Sequence, residues 1–142
     1  MSTKVLNGGI AVDDRGSVRF VNDFNFEGVK RFYQVENHNR GFIRAWHGHK
    51  KEGKYVYVPY GAALIGVVPF RAPEIEQKVQ KYTLCAELPR VLWIPPGYAN
   101  GAMTLREGTI IQYFSTATME ETKGDDIRFE YNKWDIWQED YR

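Results

Sequence analysis

Short runs of β-branched and aromatic residues recur roughly every ten positions along this chain, separated by turn-forming residues. The runs cover residues 17–21, 30–35, 41–49, 55–58, 62–68, 78–84, 91–94, 102–105 and 109–115. No long amphipathic stretch lies between them, so the pattern predicts an all-β sandwich or barrel. Asp13-Asp14-Arg15-Gly16, Glu52-Gly53, Tyr60-Gly61, Pro95-Pro96-Gly97 and Glu107-Gly108 supply the glycines and prolines that tight reversals need. The polar tract 119–126 reads as a surface turn. Residues 132–142, with Trp134 and Trp137 three apart, read as a short helix or an ordered tail folded over the core.

Composition narrows the class. With 142 residues, of which 43% are hydrophobic, the chain suits one domain spanning 1–142 with a single core. Its 19 basic and 18 acidic residues leave a formal net charge of +1, which supplies no global field for nucleic acid or an anionic membrane. Anion binding is therefore expected to be local. Cys85 stands alone, excluding an internal disulfide, and no apolar run follows Met1-Ser2-Thr3-Lys4, so a cytoplasmic protein is expected. The most apolar stretch, 55–70, is interrupted by Pro59 and falls short of a bilayer span.

Candidate chemistry concentrates in residues 41–54, which hold two of the three histidines, Arg44 and three lysines. A histidine can accept a proton at neutral pH, and a neighbouring ammonium can stabilise the resulting anion. That combination suits proton abstraction next to a carbonyl. Period-two alternation along 42–49 puts Ile43, Ala45, His47 and His49 on one face and Phe42, Arg44 and Trp46 on the other. Arg44 should then point away from His47 unless a bulge intervenes or it serves a site across a subunit boundary.

The spacing Gly41-x5-His47-x-His49-x2-Glu52-x8-Gly61 comes close to the first metal motif of the cupin superfamily. Asn100, in Pro95-Pro96-Gly97-Tyr98-Ala99-Asn100, occupies the place of the third histidine, and Glu52 lies one residue too close. Too few ligands remain for a tight divalent cation, so no metal is expected.

Four segments in order resemble the dTDP-4-dehydrorhamnose 3,5-epimerases and the related dTDP-sugar 3,4-ketoisomerases. They are Asp14-Arg15-Gly16, the 41–47 strand, Leu92-Trp93-Ile94-Pro95-Pro96-Gly97-Tyr98-Ala99-Asn100-Gly101, and Asp126-Ile127-Arg128-Phe129. The resemblance implies a cupin-type jelly roll, homodimeric, acting without metal or redox cofactor on a nucleotide-diphospho-4-keto-6-deoxy sugar. It implies His47 as the base, His49 as a second proton carrier, Lys54 as stabiliser of the enolate, and Tyr113 as a catalytic tyrosine. Arg15 and Arg44 are implied to hold the diphosphate, whose oxygens suit forked guanidinium donors. Asn37, Asn100 and Trp46 complete the expected substrate contacts, although Trp46, Tyr55 and Tyr57 could equally pack the sheets.

Two departures matter. Met119 stands where the epimerases place a proton-returning tyrosine, and Glu130-Tyr131-Asn132 stands where an aspartate should orient the base. By contrast, His47-Gly48-His49-Lys50 resembles the His-Ala-His-Lys of the ketoisomerases. A methionine cannot donate a proton, which favours a reaction confined to one sugar face. The expected function is thus an epimerase or isomerase of deoxysugar biosynthesis passing through an enolate or enediol. The competing readings are a metal-dependent cupin oxygenase and a catalytically silent nucleotide-sugar-binding module.

Overall fold

The computed structural model describes residues 1–142, and the chain forms two facing five-stranded antiparallel sheets. The strands are β1 (Lys4–Asn7), β2 (Gly9–Asp13), β3 (Gly16–Phe20), β4 (Arg31–Glu36), β5 (Ile43–Gly48), β6 (Lys54–Tyr60), β7 (Ala62–Val68), β8 (Gln80–Cys85), β9 (Arg90–Ile94), β10 (Ala99–Thr104), β11 (Ile110–Ser115) and β12 (Ile127–Arg128). One sheet runs β1-β9-β6-β11-β4, the other β12-β5-β10-β7-β8, while β2 and β3 form a separate hairpin. All nine expected strand regions are present. The three additional strands, β1, β2 and β12, are short, and their side chains are half-buried or exposed, so alternation marks them poorly.

The core lies between the sheets. Val56 and Val58 of β6, Ala63, Ile65 and Val67 of β7, and Leu92 and Ile94 of β9 are buried in one apolar cluster with Ile111 and Tyr113 of β11. Each set occupies alternate positions, as a half-buried strand requires. This is a sandwich, as the strand spacing predicts, in the double-sheet jelly-roll form that the resemblance implies.

One strand breaks the expected alternation. Where β5 pairs with β10, His47 lies opposite Asn100 and Arg44 opposite Ala102, so Ala45 and Trp46 together face Gly101 alone. This two-against-one bulge resets the side-chain parity. The Ala45–Trp46 peptide is also cis. Through the bulge Arg44 joins His47 on the inner face, while Ile43 and Ala45 join Trp46 on the outer one.

The outward face is covered by the C-terminal segment, which is a tail rather than a helix. Trp46 is fully buried there beside Val68, Ala99 and Trp137, with Trp134 and Ile136 against them. The indole nitrogens of Trp46 and Trp137 both donate to the Tyr131 carbonyl, at 3.1 and 2.9 Å. Gly66 and Gly101 lie opposite each other beneath this cluster. A Cβ on Gly66 would meet the Trp46 ring and Ile136 at 2.6 Å, and one on Gly101 would meet Ala45 at 2.5 Å. Small residues on two adjacent strands thus make the room that the indole fills.

Candidate active site

The pocket opens where β4 and β5 form one mouth of the sandwich. Alternation on β4 aims Arg31, Tyr33 and Val35 inward and leaves Phe32, Gln34 and Glu36 outside. Lys54 begins β6 on the same inner face as Val56 and Val58. The β5 bulge contributes Arg44 and His47, and the turn after β5 contributes His49 and Glu52. Asn100, Tyr113, Thr122, Asp126 and Arg128 close a pocket of about 250 Å³. Only three of its 13 lining residues are hydrophobic, so it suits a polar, charged ligand.

The turn carrying His49 and Glu52 is fastened from the far side. Asp125 accepts the backbone amides of Lys50 (2.8 Å), Lys51 (3.0 Å) and Glu52 (3.1 Å). Burial pushes the Asp125 carboxyl up, but these amides outweigh it and hold the group below its ordinary range. A short helix, α1 (Met119–Thr122), starts with a reciprocal capping box between Thr118 and Glu121. Its last residue, Thr122, donates from Oγ1 to Glu52 Oε1 at 2.7 Å. The tract expected to be a mere surface turn therefore braces the site.

Charge inside the pocket is crowded. Burial, then the Lys54 ammonium and Arg128, lower the His47 pKa. Burial and Lys54 also lower that of His49, against the opposing pull of Glu52 and Asp126. His49 Nε2 lies 3.8 Å from Asp126 Oδ1 and 3.9 Å from Glu52 Oε1. Lys54 is pushed down by burial first and by Arg31 as well, with Glu52 opposing. Its Nζ sits above Tyr33 and Tyr113, 5.7 and 5.6 Å from their centroids, and the two rings stack at 4.9 Å. Burial raises both phenols, so they stay protonated at neutral pH. The arrangement offers two neutral imidazoles, an ammonium, two phenols and three guanidiniums around one cavity.

The structure brings together His47, His49, Lys54, Tyr113, Arg44 and Asn100. Asn100 Nδ2 donates to the His47 carbonyl at 3.3 Å. Asn37 stands one layer back, accepting from Arg44 Nε at 2.6 Å. Trp46, expected to touch substrate, is corrected: it faces away from His47, as alternation places it, and is buried under the C-terminal tail on the opposite side of the sheet. Tyr55 is likewise on the outer face, packed with Trp93 and Phe24. Arg15 is 86% exposed at the tip of the β2–β3 hairpin, bonded to Asp13, and does not line this chain's pocket. Met119 is 61% exposed on α1 and also lies outside it.

Sequence reasoning missed Arg31, Tyr33, Thr122, Asp126 and Arg128 as polar residues of the pocket. The alternation through 31–35 carried the signal for the first two. Asp126 places a carboxylate 3.8 Å from His49, whereas the aspartate expected to orient the base concerned His47 and was placed at 130–132. Glu52 was weighed only as a metal ligand; its oxygens are directed at Thr122, Arg31 and Lys54 instead. No three His, Cys, Asp or Glu side chains converge as a metal site.

The comparisons agree with this architecture. A 3,5-epimerase from Sulfolobus tokodaii, whose structure is described as dTDP-4-dehydrorhamnose 3,5-epimerase, superposes with a TM-score of 0.76 at 27% identity, over 94% of this chain and 80% of that one. A Bacillus anthracis enzyme of the same description gives 0.77 at 23% identity, over 93% and 81%. A 3,4-ketoisomerase from Helicobacter canadensis shares the fold at 0.71 and 20% identity, over 94% of each chain. No curated protein matches the sequence significantly. The profile of the dTDP-4-dehydrorhamnose 3,5-epimerase family, however, matches residues 5–140, so the chain belongs to that family of dTDP-sugar epimerases and isomerases.

Proposed function

We propose that this enzyme moves a proton next to the ketone of a nucleotide-diphospho-4-keto-6-deoxy sugar in deoxysugar biosynthesis. The observation that carries the reading is the convergence of His47, His49 and Lys54 with Arg31, Arg44 and Arg128 in one polar pocket. His47 takes the proton from the carbon beside the carbonyl. The C–H electrons become the new C=C bond, the carbonyl π electrons move onto oxygen, and Lys54 stabilises the oxyanion. The guanidiniums hold the diphosphate by charge-assisted, bidentate contacts.

The pair of histidines on one wall supports return of the proton on the same face. In a keto shift, the neighbouring hydroxyl loses its proton as its oxygen becomes the new carbonyl, and the former carbonyl carbon gains one. His49 is placed to carry that second proton. In an epimerisation the proton returns to its original carbon from the other side, with Tyr33 or Tyr113 as the nearby donors.

We further propose a homodimer. Val12 and Val18 are exposed on the β2–β3 hairpin, which pairs with neither main sheet. Exposed strand edges of this kind are commonly covered by a second copy. Arg15 at the hairpin tip then reaches the partner's diphosphate.

The test is an NMR time course in deuterium oxide with dTDP-4-keto-6-deoxyglucose. Deuterium entering next to the ketone, with a changed product, is the expected result. Binding without exchange would leave only the silent-module reading.

A further inference from the structure

Glu52, like Asp126, is a charged residue of the pocket that the proposed chemistry leaves without a task. Its side chain is 1% exposed, and Oε1 is occupied by the Thr122 hydroxyl. Oε2 has no hydrogen-bond partner. It lies 3.7 Å from Arg31 Nη2 and 3.9 Å from Lys54 Nζ. An ionised carboxylate buried with one oxygen unsatisfied is costly, and cations close at hand must compensate it. Arginine keeps its charge in any protein environment. Of the two facing cations, only Lys54 can be lost to deprotonation.

Lys54 is surrounded on every side by groups that bear on its charge. Arg31 and Tyr33 face it from β4, Tyr113 from β11, Arg44, His47 and His49 from β5 and its turn, and Asp126 and Arg128 from β12 and the residue before it. Only Glu52 and Asp126 are negative. Asp126 is already paired with Arg128 at 3.0 Å, which leaves Glu52, shared with Arg31, as the carboxylate within 4 Å of Lys54. The separation matters as much as the sign. At 3.9 Å the carboxylate supports the ammonium electrostatically without engaging its protons, so these stay free for a substrate oxygen.

We propose that Glu52 is a positioning residue that keeps the buried Lys54 ammonium charged and its donors free for the oxyanion of the reaction intermediate. This rests on the reading of Lys54 as the enolate-stabilising group. Burial and Arg31 both drive Lys54 toward the neutral amine, and Glu52 is the strongest group opposing them.

The test compares wild type with Glu52→Gln, whose amide oxygen still accepts from Thr122 and so preserves the turn. With 13C-labelled lysine, the Lys54 Cε signal, assigned through Lys54→Arg, reports its titration directly in the free protein. Lys54 should titrate lower in the variant by on the order of one pH unit, as expected for loss of an adjacent opposite charge. The alkaline limb of the deuterium-exchange rate should move down with it, while the acid limb set by His47 stays in place. If Glu52→Gln fails to fold, Glu52→Asp draws the carboxylate back by one methylene, and Lys54 should again titrate lower, by a smaller step. Identical Lys54 titration in wild type and variant overturns the inference. Absence of exchange in wild type overturns the functional reading instead, so the two failures are distinguishable.

Discussion

Single side chains decide the chemistry, and the histidines illustrate how. A base must be neutral to accept a proton, and burial together with Lys54 holds both imidazoles below the ordinary value near 6.5. The acid limb of kcat/KM should therefore fall below pH 6.5, with activity persisting into mildly acidic solution; a limb above that value would contradict the burial argument. The same shifts bear on stability. Between the folded and unfolded histidine pKa values the unfolded chain binds more protons, so stability should rise with pH across that window and level off above about 6.5. His47→Asn should lower exchange by about 10²-fold or more while nucleotide binding persists, measured by NMR and calorimetry. Arg44→Ala should act differently. Losing a charge-assisted phosphate contact weakens ground-state and transition-state binding alike, so KM should rise by about tenfold or more with kcat little changed. A collapsed kcat at unchanged affinity would move Arg44 from diphosphate binding to the chemistry.

At the scale of elements, the strands were legible because each must bury one face, and alternation records which. The β4 pattern and the Lys54-x-Val56-x-Val58 repeat both survive intact in the sheets. The bulge was legible only as one of two ways to reconcile Arg44 with His47, because Ala45 and Trp46 look like ordinary strand residues and only pairing with Gly101 reveals the extra position. This one irregularity accounts for the misplacement of Arg44, which it brings in; Trp46 stands opposite His47 in plain alternation as well, and its substrate role came from the family resemblance, not from parity. The role of 119–126 was hidden for a related reason: polar residues that cap backbone amides look the same in sequence as solvated ones. The packing role now given to Trp46 has its own test. Trp46→Ala should cost about 3–5 kcal/mol in urea unfolding, as large-to-small aromatic truncations do. Gly66→Ala should cost about 1–3 kcal/mol, because its Cβ would sit 2.6 Å from the same ring. A raised KM without loss of stability in Trp46→Ala would restore the substrate-contact reading.

The whole molecule raises the question of where Arg15 acts. The hairpin that carries it stands apart from both sheets, and its guanidinium meets Asp13 rather than any pocket group of its own chain. If twofold assembly delivers it to the partner, each site combines His47 of one chain with Arg15 of the other. Arg15→Ala and His47→Asn should then complement each other when mixed and allowed to exchange subunits. In a heterodimer, the site built on the Arg15→Ala chain keeps its own His47 and receives an intact Arg15, while the second site loses both. Random reassortment makes half the dimers mixed, and half of their sites whole, so activity should recover to about a quarter of wild type. Arginine acting within its own chain gives the opposite result. No site in any combination would then hold both residues, and the mixture would stay as weak as its parents, as would a protein that sediments as a monomer.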